Sequence, residues 1–162
     1  MSTEISAGAV LRLAVAADEA AVAALLTSSG LPLDGVHDAL PCFVVAEDGG
    51  AIVGVAGIEA CGIAGEHALL RSVAVASSWQ SRGLGRALVT RTIAEAEARG
   101  VKALYLLTTT AEGYFPAFGF TATDRRAVPA DVRDTAEFRG ACPASATVMV
   151  RASDDHASRS PA

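Results

Sequence analysis

Three groups of residues in this chain have types and spacing suited to chemistry. The first is the turn Gln80-Ser81-Arg82-Gly83-Leu84-Gly85-Arg86, set between the apolar run Leu69–Ala76 and a stretch of helical spacing ending at Gly100. Glycines let backbone N–H groups line up without Cβ interference. A helix start adds about half a positive charge. Strand, glycine turn and helix together make an anion site, for which a diphosphate is the natural guest. Arg82 and Arg86 add charge at its rim. The second group is Glu59 and Arg71, a carboxylate and a cation inside otherwise apolar strands. Each is expected either to be solvated or paired, or to work as a base or an oxyanion ligand. The third is Tyr114, with the hydroxyls of Ser72, Thr108 and Thr109 as candidate cleft-lining groups. Threonine is also simply a good strand residue.

The elements that must position these residues read as follows. Leu69–Ala76 is short, β-branched and without alternation, as in a strand covered on both faces. Leu84, Leu88 and Ile93 fall at helical spacing, and Gly100 sits where a C-cap glycine belongs. Upstream, Val10–Ala16 reads as a strand, and Asp18 caps a helix through Ser28 with Ala21, Leu25 and Leu26 inward. Val36–Leu40 is a short helix stopped by Pro41. Cys42–Glu47 and Ala51–Cys61 form a hairpin about Asp48-Gly49-Gly50. Downstream, Lys102–Thr109 is a strand, expected to lie parallel to Leu69–Ala76. Ala111–Ala117 and Pro129–Phe138 are expected helices. Phe120–Arg125 and Ala144–Arg151 are expected strands.

A Walker-type phosphate loop is excluded, since no Gly-Lys-Ser/Thr follows the glycines. A dinucleotide fold fits poorly, because Leu88 stands where the third glycine belongs. A glycine turn serving only as a connection is the plain alternative to a phosphate site.

Around Gln80–Gly85 the sequence resembles the GNAT superfamily of acyl-CoA-dependent N-acetyltransferases, whose pattern is Gln/Arg-x-x-Gly-x-Gly/Ala after an apolar strand. The resemblance implies an α/β (α+β) fold. Its mixed, mostly antiparallel twisted sheet has about seven strands, helices on both faces and a splay between the two central parallel strands. It implies that the amides of Ser81, Arg82, Gly83, Leu84, Gly85 and Arg86 hold the pyrophosphate of acetyl-CoA, with Gln80 opening the motif. The backbone of Val73, Ala74 and Val75 would pair with the pantetheine arm. The family's second motif, Asn-x-x-Ala-x-x-Phe-Tyr-x-x-x-Gly-Phe, is matched by Ala111, Gly119 and Phe120. Thr108 replaces the asparagine, and Phe115 stands where a general-acid tyrosine is usual. Tyr114, one place earlier, is rotated by about 100° on a helix; it is either the proton donor or a packed aromatic. Glu59 is the candidate base. Arg71 either pairs with Glu59 or binds an acidic substrate.

Within that superfamily the chain resembles the arsenic-resistance-associated N-acetyltransferases. The resemblance runs through Leu69–Val75, Tyr105–Gly113, Val128–Phe138 and 142–146, with a weaker match at 31–36. It implies acetylation of the primary amine of a small, amino-acid-like toxic compound. Two other readings stand beside it. One is a non-catalytic acyl-CoA-binding regulatory module, suggested by Phe115. The other is a thiol-based arsenical binder using Cys42, Cys61 and Cys142, which lack metal-ligand spacing; free thiols are the plainer expectation.

The bulk properties agree with one domain over 10–151, a flexible start at 1–9 and a disordered tail at 152–162. Half of the 162 residues are apolar and the net charge is −5, against a general nucleic-acid binder. No apolar run reaches the ~20 residues that span a bilayer, and no secretory signal opens the chain. A cytoplasmic enzyme without a metal is expected, acting on a small-molecule amine, and by analogy with the superfamily a homodimer. His37, His67 and His156 are expected on the surface.

Overall fold

The computed structural model describes residues 4–61, 65–141 and 145–152. The tail beyond 152, Cys142, Pro143 and His156 lie outside them, as does part of the turn before His67. The strands are β1 Glu4–Ser6, β2 Ala9–Leu13, β3 Phe43–Asp48, β4 Ala51–Cys61, β5 His67–Val75, β6 Ala103–Thr108, β7 Thr121–Thr123 and β8 Thr147–Ala152. The helices are α1 Glu19–Ser28, α2 Val36–Ala39, α3 Leu84–Ala98 and α4 Ala130–Arg133. The hydrogen-bonded order is β1-β2-β3-β4-β5-β6-β8-β7, a mixed open sheet. Its parallel pair, β5 with β6, runs from His67↔Ala103 to Leu69↔Tyr105. The eighth strand is β1. Residues expected to be frayed instead pair with β2, from Glu4↔Leu11 to Ser6↔Ala9.

The chain forms two compact units. The first holds residues up to Glu59 and Leu70–Ala94. Here β3 alternates between two apolar clusters. Phe43 and Val45 pack with Val22 and Leu26 of α1, while Val44 and Ala46 pack with Leu84 and Leu88 of α3. Helices therefore cover both faces of this part of the sheet. The inward residue of α1 is Val22 rather than Ala21, which is exposed. Alanine on both sides of Val22 blurs the phase, and the larger side chain takes the buried position. Asp18 does not cap α1 as expected. Its carboxylate accepts the N–H of Val15 at 2.8 Å and two N–H groups of Arg12 at 2.8 and 2.9 Å.

Glycines in β4 set how closely the layers approach. Gly57 faces Phe43 across the hairpin, and a Cβ there would overlap the Phe43 ring. At Gly54 a Cβ would lie 2.7 Å from Cδ1 of Leu88 and 3.3 Å from Cδ2 of Leu84. A side chain would lift α3 from the sheet at its first turns.

The second unit holds Ala60–Leu69 and the chain from Glu95 onward. Leu69, Tyr105, Val128, Val132 and Val148 form its core. The helix expected at Ala111–Ala117 is instead a 3-10 turn, Phe115–Phe118. Pro116 within it cannot donate to the preceding turn, and Gly119 ends it in a left-handed conformation (φ 93°). The strand expected at Phe120–Arg125 is cut to β7. The helix expected at Pro129–Phe138 is α4 alone, followed by a wider coil, Glu137–Ala141, in which Gly140 is non-helical.

Two outcomes follow from this packing. Gly57→Ala forces Phe43 from its rotamer or bends β4, lowering stability by about 1–3 kcal/mol, readable in urea unfolding. The hydrogen bonds from Arg12 hold the Asp18 carboxyl below its ordinary value of 3.8. A depressed folded value contributes stability above the unfolded value and loses it as pH falls through the folded one. Asp18→Asn is therefore expected to cost about 2 kcal/mol at pH 7. The gap to wild type should narrow in melts taken below pH 3.8.

Candidate active site

The anion loop lies wholly in the first unit. After β5 a 3-10 turn, Ser77–Trp79, leads into it. Gln80 folds back so that Nε2 donates to the Val75 carbonyl at 3.1 Å, tying the loop to the strand end. Ser81 and Gly83 are both left-handed, at φ 67° and 84°. A Cβ on Gly83 would meet nothing within 4 Å, so its requirement for glycine is conformational. Leu84 opens α3 and is buried against Leu88; only its amide is offered to a ligand. The helix's first recorded inward bond is Ala87 N–H to the Gly83 carbonyl at 3.1 Å. The N–H groups of Leu84, Gly85 and Arg86 thus precede any carbonyl that the helix can offer them. Together with the helix dipole they form a cradle for an anion. Arg82 and Arg86 are exposed beside it. Val73 and Val75 are half-buried, and Ala74 is buried toward α1.

Glu59 and Arg71 form the ion pair that the sequence left open. Arg71 Nη1 donates to Glu59 Oε1 at 2.9 Å, with the Arg71 side chain 0% and the Glu59 side chain 23% exposed. Arg71 Nε donates to Ser72 Oγ at 3.1 Å and Nη2 to the Pro32 carbonyl at 3.5 Å. The loop before α2 closes over this cluster. A Cβ on Gly35 would lie 3.0 Å from Arg71 Nη1. The guanidinium is therefore enclosed and spent on the protein, while the Glu59 side chain is partly exposed. Ser72 is buried and left-handed (φ 61°) in the middle of β5. That costs of order 1–3 kcal/mol and persists only where the surroundings over-determine it.

The remaining candidates lie in the second unit. Tyr114 is 37% exposed, edge-on to Phe115 and Phe118 at ring distances of 5.2 and 5.3 Å. Phe115 is the buried member. Thr108 Oγ1 accepts the N–H of Ala111 at 2.9 Å, so this hydroxyl organises the turn after β6. Thr109 is exposed. His67 Nδ1 lies 3.2 Å from Asp131, and exposed His37 lies 2.8 Å from Glu19. Cys42 is a half-buried free thiol. Among the described residues no three His, Cys, Asp or Glu side chains gather to hold a metal ion, and no helix is long and apolar enough to cross a membrane.

Sequence reasoning missed Gly35, the Pro32 carbonyl and the contact between Trp79 and Arg82. The lone tryptophan in a polar turn was the one signal for the last of these.

The profile of the acetyltransferase (GNAT) family matches residues 13–121, more than half of the chain. The chain belongs to this family. No curated protein matches the sequence. Among solved structures, N-acetylglutamate synthase from Neisseria gonorrhoeae, complexed with coenzyme A and N-acetyl-glutamate, is 23% identical with a TM-score of 0.74. The match covers 88% of this chain but 34% of that one, so this chain spans about a third of the synthase. Rv2747 from Mycobacterium tuberculosis, solved with CoA, is 23% identical over 88% of this chain and 98% of its own, with a TM-score of 0.74. YhbS from Escherichia coli, also with CoA, is 21% identical over 96% and 87%, with a TM-score of 0.66. At these identities the likeness is one of fold.

Removing the buried cation takes from Glu59 and the Ser72 hydroxyl the hydrogen bonds that Arg71 donates. Arg71→Met is expected to cost about 2–4 kcal/mol, the partial exposure of Glu59 moderating the loss of a buried pair, measured by chemical denaturation.

Proposed function

We propose that this acetyltransferase moves the acetyl group of acetyl-CoA to the primary amine of a small, amino-acid-like molecule. The observation that carries the reading is the cradle at the start of α3, where two left-handed residues, Ser81 and Gly83, lead into the first turn of the helix. A diphosphate engages the amides of that turn and the helix dipole at once. The CoA held by the gonococcal, mycobacterial and Escherichia coli structures supports acetyl-CoA as donor. The edge of β5 at Val73–Val75 is assigned to the pantetheine arm.

Attack requires a neutral amine. Its nitrogen forms a bond to the thioester carbonyl carbon, the C–S bond breaks, and CoA leaves as a thiol or thiolate. Glu59 is assigned as the base that takes the amine proton, directly or through water. Arg71 holds that carboxylate in place rather than meeting the acceptor, since its side chain is enclosed. The leaving thiol, with a pKa of about 8.5, needs little acid assistance at neutral pH. Tyr114 is assigned as proton donor although Phe115 holds the family's usual position for that group. Thr109 is the hydroxyl left exposed for the acceptor.

The amino-acid-like acceptor rests on two supports. One is the resemblance to the arsenic-resistance-associated enzymes, which implies a detoxification setting. The other is the gonococcal relative, crystallised with N-acetyl-glutamate in one structure and L-arginine in another.

Thiol release from acetyl-CoA, measured across amino acids and their phosphinate and arsenic-bearing analogues, tests the acceptor class. Release with at least one of them is expected; none, with CoA binding intact, overturns it. With an accepted amine, Glu59→Gln is expected to lower kcat by about 10²- to 10⁴-fold and leave the calorimetric affinity for CoA unchanged. A kcat equal to wild type removes Glu59 from the chemistry.

A further inference from the structure

Arg82 is exposed at the rim of the anion cradle, and among the described residues no carboxylate pairs with it. Its guanidinium carbon lies 4.6 Å from the centre of the Trp79 ring. Left-handed Ser81 stands between the two and turns the chain so that residue 82 folds back over residue 79. Trp79 is itself held from three sides. Its backbone N–H donates to the Ala76 carbonyl at 2.8 Å. Its ring is half-buried against the cluster that seats α3. The ring edge lies beside the β1–β2 turn, where a Cβ on Gly8 would be 3.8 Å from Cη2.

We propose that Trp79 is a positioning residue for the cosubstrate: it fixes Arg82 over the cradle and so sets the affinity for the phosphates of acyl-CoA. The inference rests on reading that cradle as the CoA site. A long arginine stem loses rotamer freedom when its head engages a ligand. Stacking on a fixed indole settles that cost beforehand, and preorganisation of this kind raises affinity. A guanidinium held over an aromatic ring by its charge keeps N–H donors available to phosphate oxygens. A chain of net charge −5 repels a polyanion at long range, so a locally fixed cation matters more than it would on a basic surface. The same contacts give β1 a use: the N-terminal hairpin buttresses the tryptophan.

Calorimetry with CoA tests this on wild-type protein and four variants. Trp79→Leu is expected to bind about fivefold to tenfold more weakly than wild type. Trp79→Phe, which keeps a ring, should recover most of that loss. In an Arg82→Gln background, Trp79→Leu should cost less than about twofold, because the residue acts through Arg82. A packing role alone would weaken binding equally in both backgrounds, and that result overturns the proposal, as does unchanged affinity in Trp79→Leu. Trp79 is the only tryptophan of the chain, so its fluorescence supplies a readout that needs no variant. CoA should change the emission of wild-type protein, and an unaltered spectrum at saturating CoA also overturns the proposal. Wild-type protein that gives no heat with CoA refutes the cosubstrate assignment itself, a distinct failure.

Discussion

Backbone amides at a helix start attract an anion only if they are held still and pointed together. In this chain that condition is met by the seat of α3. Leu84, the first residue of the helix, is also a core residue, packed with Leu88 against β2, β3 and β4. Burying two leucines contributes about 1.5–3 kcal/mol each, and Gly54 permits the approach by offering no side chain between helix and sheet. The apolar energy of the core is thereby used to fix the polar end of a helix. Gln80, bonded to the last carbonyl of β5, and the left-handed pair Ser81 and Gly83 complete the turn. Strand end, loop and helix start consequently form one rigid piece, and the positive end of the dipole has a fixed address.

A second constraint lies at the other side of β5. An arginine with no exposed side-chain surface is costly unless it is paired. Arg71 meets that demand with Glu59, Ser72 and the Pro32 carbonyl. Three segments distant in sequence are drawn to one point, and Gly35 leaves room for them. The arrangement orients Glu59 and holds Ser72 in a conformation that serine rarely adopts inside a strand. The strain therefore sits beside the residues assigned to chemistry, where the surrounding hydrogen bonds are dense enough to maintain it.

Much of this was legible because it is local. The unbroken apolar run of β5, the helical spacing of Leu84, Leu88 and Ile93, and the glycines of the turn each imply their own geometry. The Glu59–Arg71 pair was visible as two charges in apolar strands, although not which of its two readings held. What stayed hidden depends on contacts between distant residues. Nothing in the sequence around Ser72 signals φ 61°. Phe43 and Gly57 look unremarkable until they face each other across a hairpin. The strand β1 is too short to read alone and exists because β2 pairs with it. Residues 111–141 were the least legible. Pro116 and Gly140 break what the apolar spacing alone would continue.

The central claim is that the backbone between Ser81 and Arg86 grips the diphosphate of CoA. Amide chemical shifts of ¹⁵N-labelled protein, followed through a CoA titration, address it most directly. Binding is predicted to shift the amides of Leu84, Gly85 and Arg86 strongly downfield, as new hydrogen bonds to phosphate oxygens form. Saturable binding of CoA that left those three amides unmoved and perturbed residues elsewhere would contradict the account.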